Sequence, residues 1–148
     1  MVPFQSIWPQ VAPLVSKVER PSRYLNREWG SVHASAQSPF RFCMVYPDTY
    51  ELGQANQALR ILVNAVNACE GMAAERGFLP ALDMCELLRE RDLPLFSIES
   101  CAPLAAFDVV GITLPHELAA TNILEVLDLA HITLHADERE QDEPIVVA

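Results

Sequence analysis

Few glycines, no close cysteine pair and no long apolar run occur in these 148 residues, and each shortage excludes a class of function. The five glycines, at 30, 53, 71, 77 and 111, form neither G-x-G-x-x-G nor G-x-x-x-x-G-K-[ST], so dinucleotide and P-loop nucleotide binding are disfavoured. The cysteines Cys43, Cys69, Cys85 and Cys101 are separated by 25, 15 and 15 residues. Zinc and iron–sulfur sites usually present two thiolates from one turn, and no such pair exists here, so no metal site is expected. Reduced structural thiols in a cytoplasmic protein are the plain reading. No apolar stretch reaches the roughly 18–20 residues that span a bilayer, and the N-terminus lacks the basic and apolar regions of a signal peptide. Basic residues are scarce, 10 against 20 acidic, and a net charge of −10 repels a phosphate backbone. Neither a membrane nor nucleic acid is an expected partner.

Proline, by contrast, is plentiful: 11 residues, five of them before residue 40. The opening segment carries apolar residues at 4, 7, 8, 11, 14, 15 and 18, a helical stripe that Pro9 and Pro13 are expected to interrupt. Residues 1–38 therefore read as an N-terminal arm, a broken helix followed by an extended segment from Pro21 to Pro39. From residue 39 the pattern alternates. Strands are expected at Phe40–Tyr46, Met72–Gly77, Leu95–Ile98, Asp108–Thr113 and Ile145–Ala148. Helices are expected at Leu52–Asn67, Ala81–Arg91 and Leu118–Ala130. Such alternation means βαβ units and a five-stranded, mostly parallel sheet in a flavodoxin-like three-layer α/β sandwich spanning 39–148. Ligands of such sheets bind beyond the C-terminal ends of the strands. A buried strand that stops at Ala148 without a covering helix reads as part of a longer protein.

Two strand ends carry polar residues. After the first comes Asp48-x-Tyr50-x-x-Gly53, which reads either as a helix cap, with Asp48 and Glu51 making a D-x-x-E box and Gly53 allowing close packing, or as a ligand loop. After Asp108–Thr113 come His116 and Glu117 at a helix start, where a carboxylate is favoured by the helix dipole. Thr113 and Asn122 are the other polar groups that could face the same crevice. His131 and His135 read as surface residues. No residue is assigned a catalytic role.

The D-x-Y-x-x-G run resembles the D-x-H-x-x-G motif of flavodoxin-like cobalamin-binding domains, with Tyr50 where the histidine stands, and G-I-T-L after the later strand loosely resembles their S-x-L element. Four segments in order, V-E-R-P-S-R-Y at 18–24, Y-P-D-T-Y-E-L-G at 46–53, D-L-P-L-F-S-I-E-S at 92–100, and H-E-L with T-N-I-L at 116–124, resemble the N-terminal region of bacterial cobalamin-type radical SAM proteins. The resemblance implies an accessory domain that is not itself catalytic. It also implies a radical SAM barrel of the same polypeptide as partner, with a [4Fe–4S] cluster and S-adenosylmethionine held in that barrel. A corrinoid would then lie at Asp48, Tyr50, Gly53, Thr113, His116, Glu117 and Asn122. A neutral phenol is a poor cobalt ligand, so Tyr50 is expected to pack beside a corrinoid without ligating it. The alternative is a scaffold or substrate-docking domain that binds no cobalamin. A receiver domain is disfavoured because the sole lysine, Lys17, precedes the sheet, and Pro47–Gly53 is not the phosphate loop of a flavodoxin.

Overall fold

The computed structural model describes residues 4–27, 31 and 38–148. Four parallel strands, β1 (Phe40–Tyr46), β2 (Met72–Phe78), β3 (Val109–Ile112) and β4 (Ile145–Val147), lie in the order β2-β1-β3-β4. Five helices accompany them: α1 (Trp8–Val15), α2 (Tyr50–Ala55), α3 (Gln57–Asn67), α4 (Leu82–Glu90) and α5 (Ala120–Leu129). Alternation of side chains along each strand separates two apolar layers. Cys43 and Val45 of β1, with Val110 and Ile112 of β3, pack against Cys85 of α4 and Val126, Leu127 and Leu129 of α5. On the opposite face, Met44, Ala74 and Phe78 pack against Leu59 and Val63 of α3.

The sheet has four strands where five were expected. Leu95–Ile98 makes only one isolated antiparallel bridge, Phe96 to Pro103. Its backbone is engaged elsewhere: the Leu95 N–H donates to Leu129 O at 2.7 Å, and Ser97 N–H donates to Ala102 O at 2.9 Å. A ladder onto the outer edge of β2 is also blocked. The Asn67 side chain accepts from Ala74 N–H at 2.7 Å and donates to Ala74 O at 3.1 Å. Farther along, the Glu99 carboxylate accepts from Arg76 N–H at 2.7 Å, while Arg76 O accepts from Ile98 N–H at 2.8 Å. Side chains thus occupy the edge that a neighbouring strand would need, which is one way of blunting an exposed sheet edge.

The helix expected over Leu52–Asn67 is two helices. Asn56 adopts an extended conformation (φ −78°, ψ 107°) and its side chain accepts from Leu59 N–H at 3.1 Å, capping α3. The break follows from Gly53, which lets α2 lie against the end of the sheet. A Cβ there would run into the Phe78 ring and stand 3.0 Å from Tyr46 Cβ. The chain must then step away before α3 can lay Leu59 and Val63 on the sheet.

The N-terminal arm also differs from expectation. Trp8–Val15 is one helix with Pro9 in its first turn and Pro13 inside it. Pro9 stands where a helical N–H has no intrahelical partner, so only Pro13 forfeits a bond. Val11, Leu14 and Val15, with Val18 and Tyr24, are buried against Met84 and Leu88 of α4 and against Phe96. The arm is further tied by Ile7 N–H to Cys101 O at 2.8 Å and by Glu19 N–H to the Asp83 carboxylate at 2.8 Å. Pro21–Tyr24 is a 3-10 turn rather than extended chain. The remainder of the expected extended segment lies largely outside the described residues.

Replacing Gly53 by Ala should cost about 1–3 kcal/mol of unfolding free energy, the usual penalty of overpacking. Urea unfolding checks this: the midpoint should fall without a change in slope, and an unchanged midpoint would mean that α2 does not sit as closely as described.

Candidate functional site

The sheet reverses its direction of growth between β1 and β3. From β1 the chain moves to one side to form β2, and it then crosses back past β1 to form β3 and β4. In doubly wound sheets the C-terminal ends of the two strands flanking such a reversal make the ligand crevice. Here those ends lead into Pro47–Thr49 before α2 and into Thr113–His116 before a 3-10 turn at Glu117–Ala119 and α5.

The polar groups of this crevice bond mainly to the protein itself. Asn122 of α5 reaches across it, its Nδ2 donating to Pro47 O at 2.9 Å. Thr113 N–H donates to Val45 O at 2.9 Å, and the Thr113 hydroxyl lies 3.3 Å from the same oxygen. Asp48 Oδ1 accepts from the adjacent Thr49 N–H at 2.6 Å. The N-cap of α2 is Thr49, without a side-chain cap bond, so the expected D-x-x-E box does not form. Glu51 instead turns to the arm and accepts from Arg23 Nε at 2.8 Å and Arg20 Nη1 at 3.2 Å. The Arg23 guanidinium holds the Glu51 carboxyl below the usual range, though the pair is solvated.

Tyr50 is directed away from the β1/β3 crevice. Its ring meets Phe78 edge-on, with centroids 5.2 Å apart, at the end of β2. There Tyr50, Tyr24, Phe78, Pro80, Leu95 and Phe96 line a small pocket. The Tyr24 hydroxyl accepts from Ala81 N–H at 3.3 Å, and burial pushes its pKa up to about 12, so it stays protonated at neutral pH. His116 and Glu117 are exposed at the start of the 3-10 turn, and His131 and His135 are exposed as expected. Of the candidate residues, the fold thus brings Thr113 and Asn122 to the end of β1, bonds the Asp48 carbonyl to Leu79 N–H beyond β2, sends Tyr50 and Gly53 toward Phe78, and leaves His116 and Glu117 at the surface.

The loop after β1 has no group suited to ligate a corrinoid cobalt. The loop after β1 offers no imidazole, the Asp48 carboxylate faces a backbone N–H, and the Asn122 amide bridges the floor of the crevice. Among the described residues no group of three or more His, Cys, Asp or Glu could hold a metal ion. The four cysteines are free thiols, with Cys69 exposed and the others buried. Burial pushes the thiols of Cys85 and Cys101 up to about 11 and about 12, which makes them poor nucleophiles.

The most concentrated chemistry lies in a buried ionic network that the periodicity of the sequence does not reveal. Arg76 Nε donates to Glu99 Oε1 at 2.6 Å, with both side chains almost wholly buried. Its Nη1 donates to Gln54 Oε1, and its Nη2 donates to Asn26 Oδ1 at 3.1 Å. On the other face of β2, Glu75 accepts from the Ser100 hydroxyl at 2.6 Å, and Arg41 Nη1 stands 3.9 Å from it. The signal available in the sequence is an adjacent Glu75-Arg76 pair inside an otherwise apolar strand. A charge at each face of a buried strand has to be paired.

Residues 58–148, more than half of the chain, match the family model described as radical SAM proteins, N-terminal. The match runs from α3 to the end of β4 and includes Thr113, His116, Glu117 and Asn122, while Asp48, Tyr50 and Gly53 lie before it. No curated protein and no solved structure matches the chain.

Removing one partner of the buried pair should be costly: Glu99→Leu, which leaves the guanidinium without its acceptor, or Arg76→Met alone should each lose about 3–5 kcal/mol. The double variant should lose clearly less than the two combined, and additive losses would show that the ions are not coupled. The pH dependence has a definite sign. Burial raises the Glu99 carboxyl above its ordinary 4.5 against the opposing pull of Arg76. Above pH 4.5 the folded state therefore holds more proton at this site than the unfolded state, and stability falls as pH rises through the raised value. Urea titrations across that range should show this falling component in the native protein and not in Glu99→Gln.

Proposed function

This chain belongs to the family of radical SAM N-terminal regions, and on that premise we propose that it is a non-catalytic accessory domain, a ligand-free scaffold for the radical SAM barrel of the same polypeptide. The strand order β2-β1-β3-β4, with helices on both faces, supports a flavodoxin-like reading of the sandwich. The observation that carries the ligand-free reading is the bond from Asn122 to Pro47 O, which ties the first turn of α5 to the loop after β1 where a ligand of such a sheet would enter. The iron–sulfur cluster and S-adenosylmethionine belong, in this reading, to the barrel. The free thiols suit a reducing cytoplasm. No described helix is long and apolar enough to cross a membrane, and the net charge of −10 disfavours nucleic acid as a partner.

The competing reading keeps a corrinoid in the crevice, and one titration separates the two. Hydroxocobalamin added to the protein should leave the cobalt absorption bands unchanged, and no corrinoid should elute with the protein on desalting. Stoichiometric retention would overturn the scaffold reading. The cob(II) EPR spectrum of ¹⁵N-histidine protein, and its loss in His116→Ala, would then show whether His116 supplies a nitrogen to cobalt.

A further inference from the structure

The arm and α2 meet across a cleft of about 200 Å³, lined by Ser22, Arg23, Leu25 and Arg27 on one side and by Tyr50 and Glu51 on the other. Leu25 and Tyr50 are half-buried and supply its apolar surface. Arg23 and Tyr50 also line the small pocket beside Phe78, so the two recesses adjoin. In a chain of net charge −10, three of the ten basic residues, Arg20, Arg23 and Arg27, fall within eight positions of this arm. The carboxylates whose field reaches Arg23 are Glu51 and Asp83. Asp83 is taken up by the backbone N–H groups of Glu19 and Met84. Glu51 accepts from Arg23 only through Nε, at 2.8 Å. A guanidinium carries five N–H donors, and among the described residues Arg23 has no second acceptor and Arg27 has none.

Both sides of the cleft are held by one buried group. Arg76 Nη2 donates to Asn26 Oδ1, between Leu25 and Arg27 in the arm, and its Nη1 donates to Gln54 Oε1, one turn after Tyr50 in α2. Asn26 is itself in the left-handed region, with φ 45°, a conformation that asparagine tolerates better than most residues. The turn that presents Leu25 and Arg27 is therefore fixed by the buried guanidinium, and so is its distance from α2. The Arg23–Glu51 bond adds a second tie across the same gap. A small-molecule site gains affinity when its walls are set before the ligand arrives, because less freedom is lost on binding.

We propose that this cleft binds a small amphipathic organic anion, its carboxylate or phosphate meeting the guanidiniums of Arg23 and Arg27 and its apolar ring covering Leu25 and Tyr50. Arginine forks match both kinds of oxyanion, so the geometry selects the shared chemistry. The volume lies below the roughly 300–1,000 Å³ of drug-sized sites, which suits a single ring rather than a nucleotide. The ligand-free reading concerns the crevice between β1 and β3. The cleft lies on the other side of β1, where Tyr50 meets Phe78 at the end of β2, so the two stand or fall separately.

The test is an NMR titration of the 148-residue chain that follows backbone amide shifts, with phenyl phosphate and benzoate as probes. Inorganic phosphate carries the charge without the ring, and benzyl alcohol carries the ring without the charge. At least one probe should shift the amides of Leu25, Arg27 and Tyr50 saturably, with a Kd of about 1 mM or tighter for a ligand of this size. Which probe binds more tightly separates phosphate from carboxylate. Inorganic phosphate and benzyl alcohol should each bind at least ~10-fold more weakly, since each lacks half of the contacts. Arg27 is exposed, so Arg27→Ala should leave the fold intact and weaken the better probe about 10-fold, as loss of a charged hydrogen bond does. Arg60→Ala, at an exposed arginine of α3, should leave its Kd unchanged. Shifts that do not saturate, that inorganic phosphate reproduces at equal concentration, or that survive Arg27→Ala would overturn the proposal. Saturable shifts confined to residues 113–122 would overturn it together with the ligand-free reading of the crevice.

Discussion

The guanidinium of Arg76 joins β2 to three other parts of the chain. It lies on β2, bonds to Glu99 in the segment after α4, to Gln54 in α2 and to Asn26 just beyond the 3-10 turn of the arm. Its own backbone N–H and C=O are taken by Glu99 and Ile98. One residue thus closes the edge of the sheet, anchors α2 against the end of β2 and ties the arm to the sandwich. A buried charge is tolerable only when such partners are present, so each of these segments is held where the guanidinium needs it. That geometry is more a source of specificity than of net stability, because desolvation of both ions offsets much of their attraction.

The same region sets the conformation of the loop after β1. Gly53 brings α2 down onto Phe78, and Tyr50 follows, its ring packing edge-on against Phe78 beside the pocket formed with Tyr24 and Phe96. The D-x-Y-x-x-G run is therefore built into the packing between arm and sandwich. Across the sheet, Asn122 and Thr113 bond to the backbone at the end of β1. Polar residues at a strand end can bind a ligand or satisfy exposed carbonyls, and Asn122 and Thr113 bond to the carbonyls of Pro47 and Val45.

The alternation of apolar segments correctly indicated an α/β chain with a parallel sheet, and β1 fell where its aromatic and β-branched run predicted. The additional strand at Leu95–Ile98 was misread because apolar content reports burial rather than ladder pairing. That segment is buried, yet its backbone bonds to the end of α5 and to residues 102–104. The helix at Leu52–Asn67 showed a continuous stripe, and only the cap at Asn56 reveals the break. In the arm, Pro9 and Pro13 were weighted as helix breakers, whereas burial of Val11, Leu14 and Val15 against α4 outweighs one lost hydrogen bond.

Composition and local pattern alone determined the class of fold, the positions of most elements, the absence of a phosphate-binding loop and the resemblance to radical SAM N-terminal regions, because these depend on periodicity and on residues close together in the chain. Tertiary structure decided the rest: which strand edges are paired, that Glu99 meets Arg76, and that Asn122 reaches Pro47. Each of these joins residues more than 20 positions apart, and no local rule of hydrophobic spacing encodes which distant polar group will satisfy another once both are withdrawn from water.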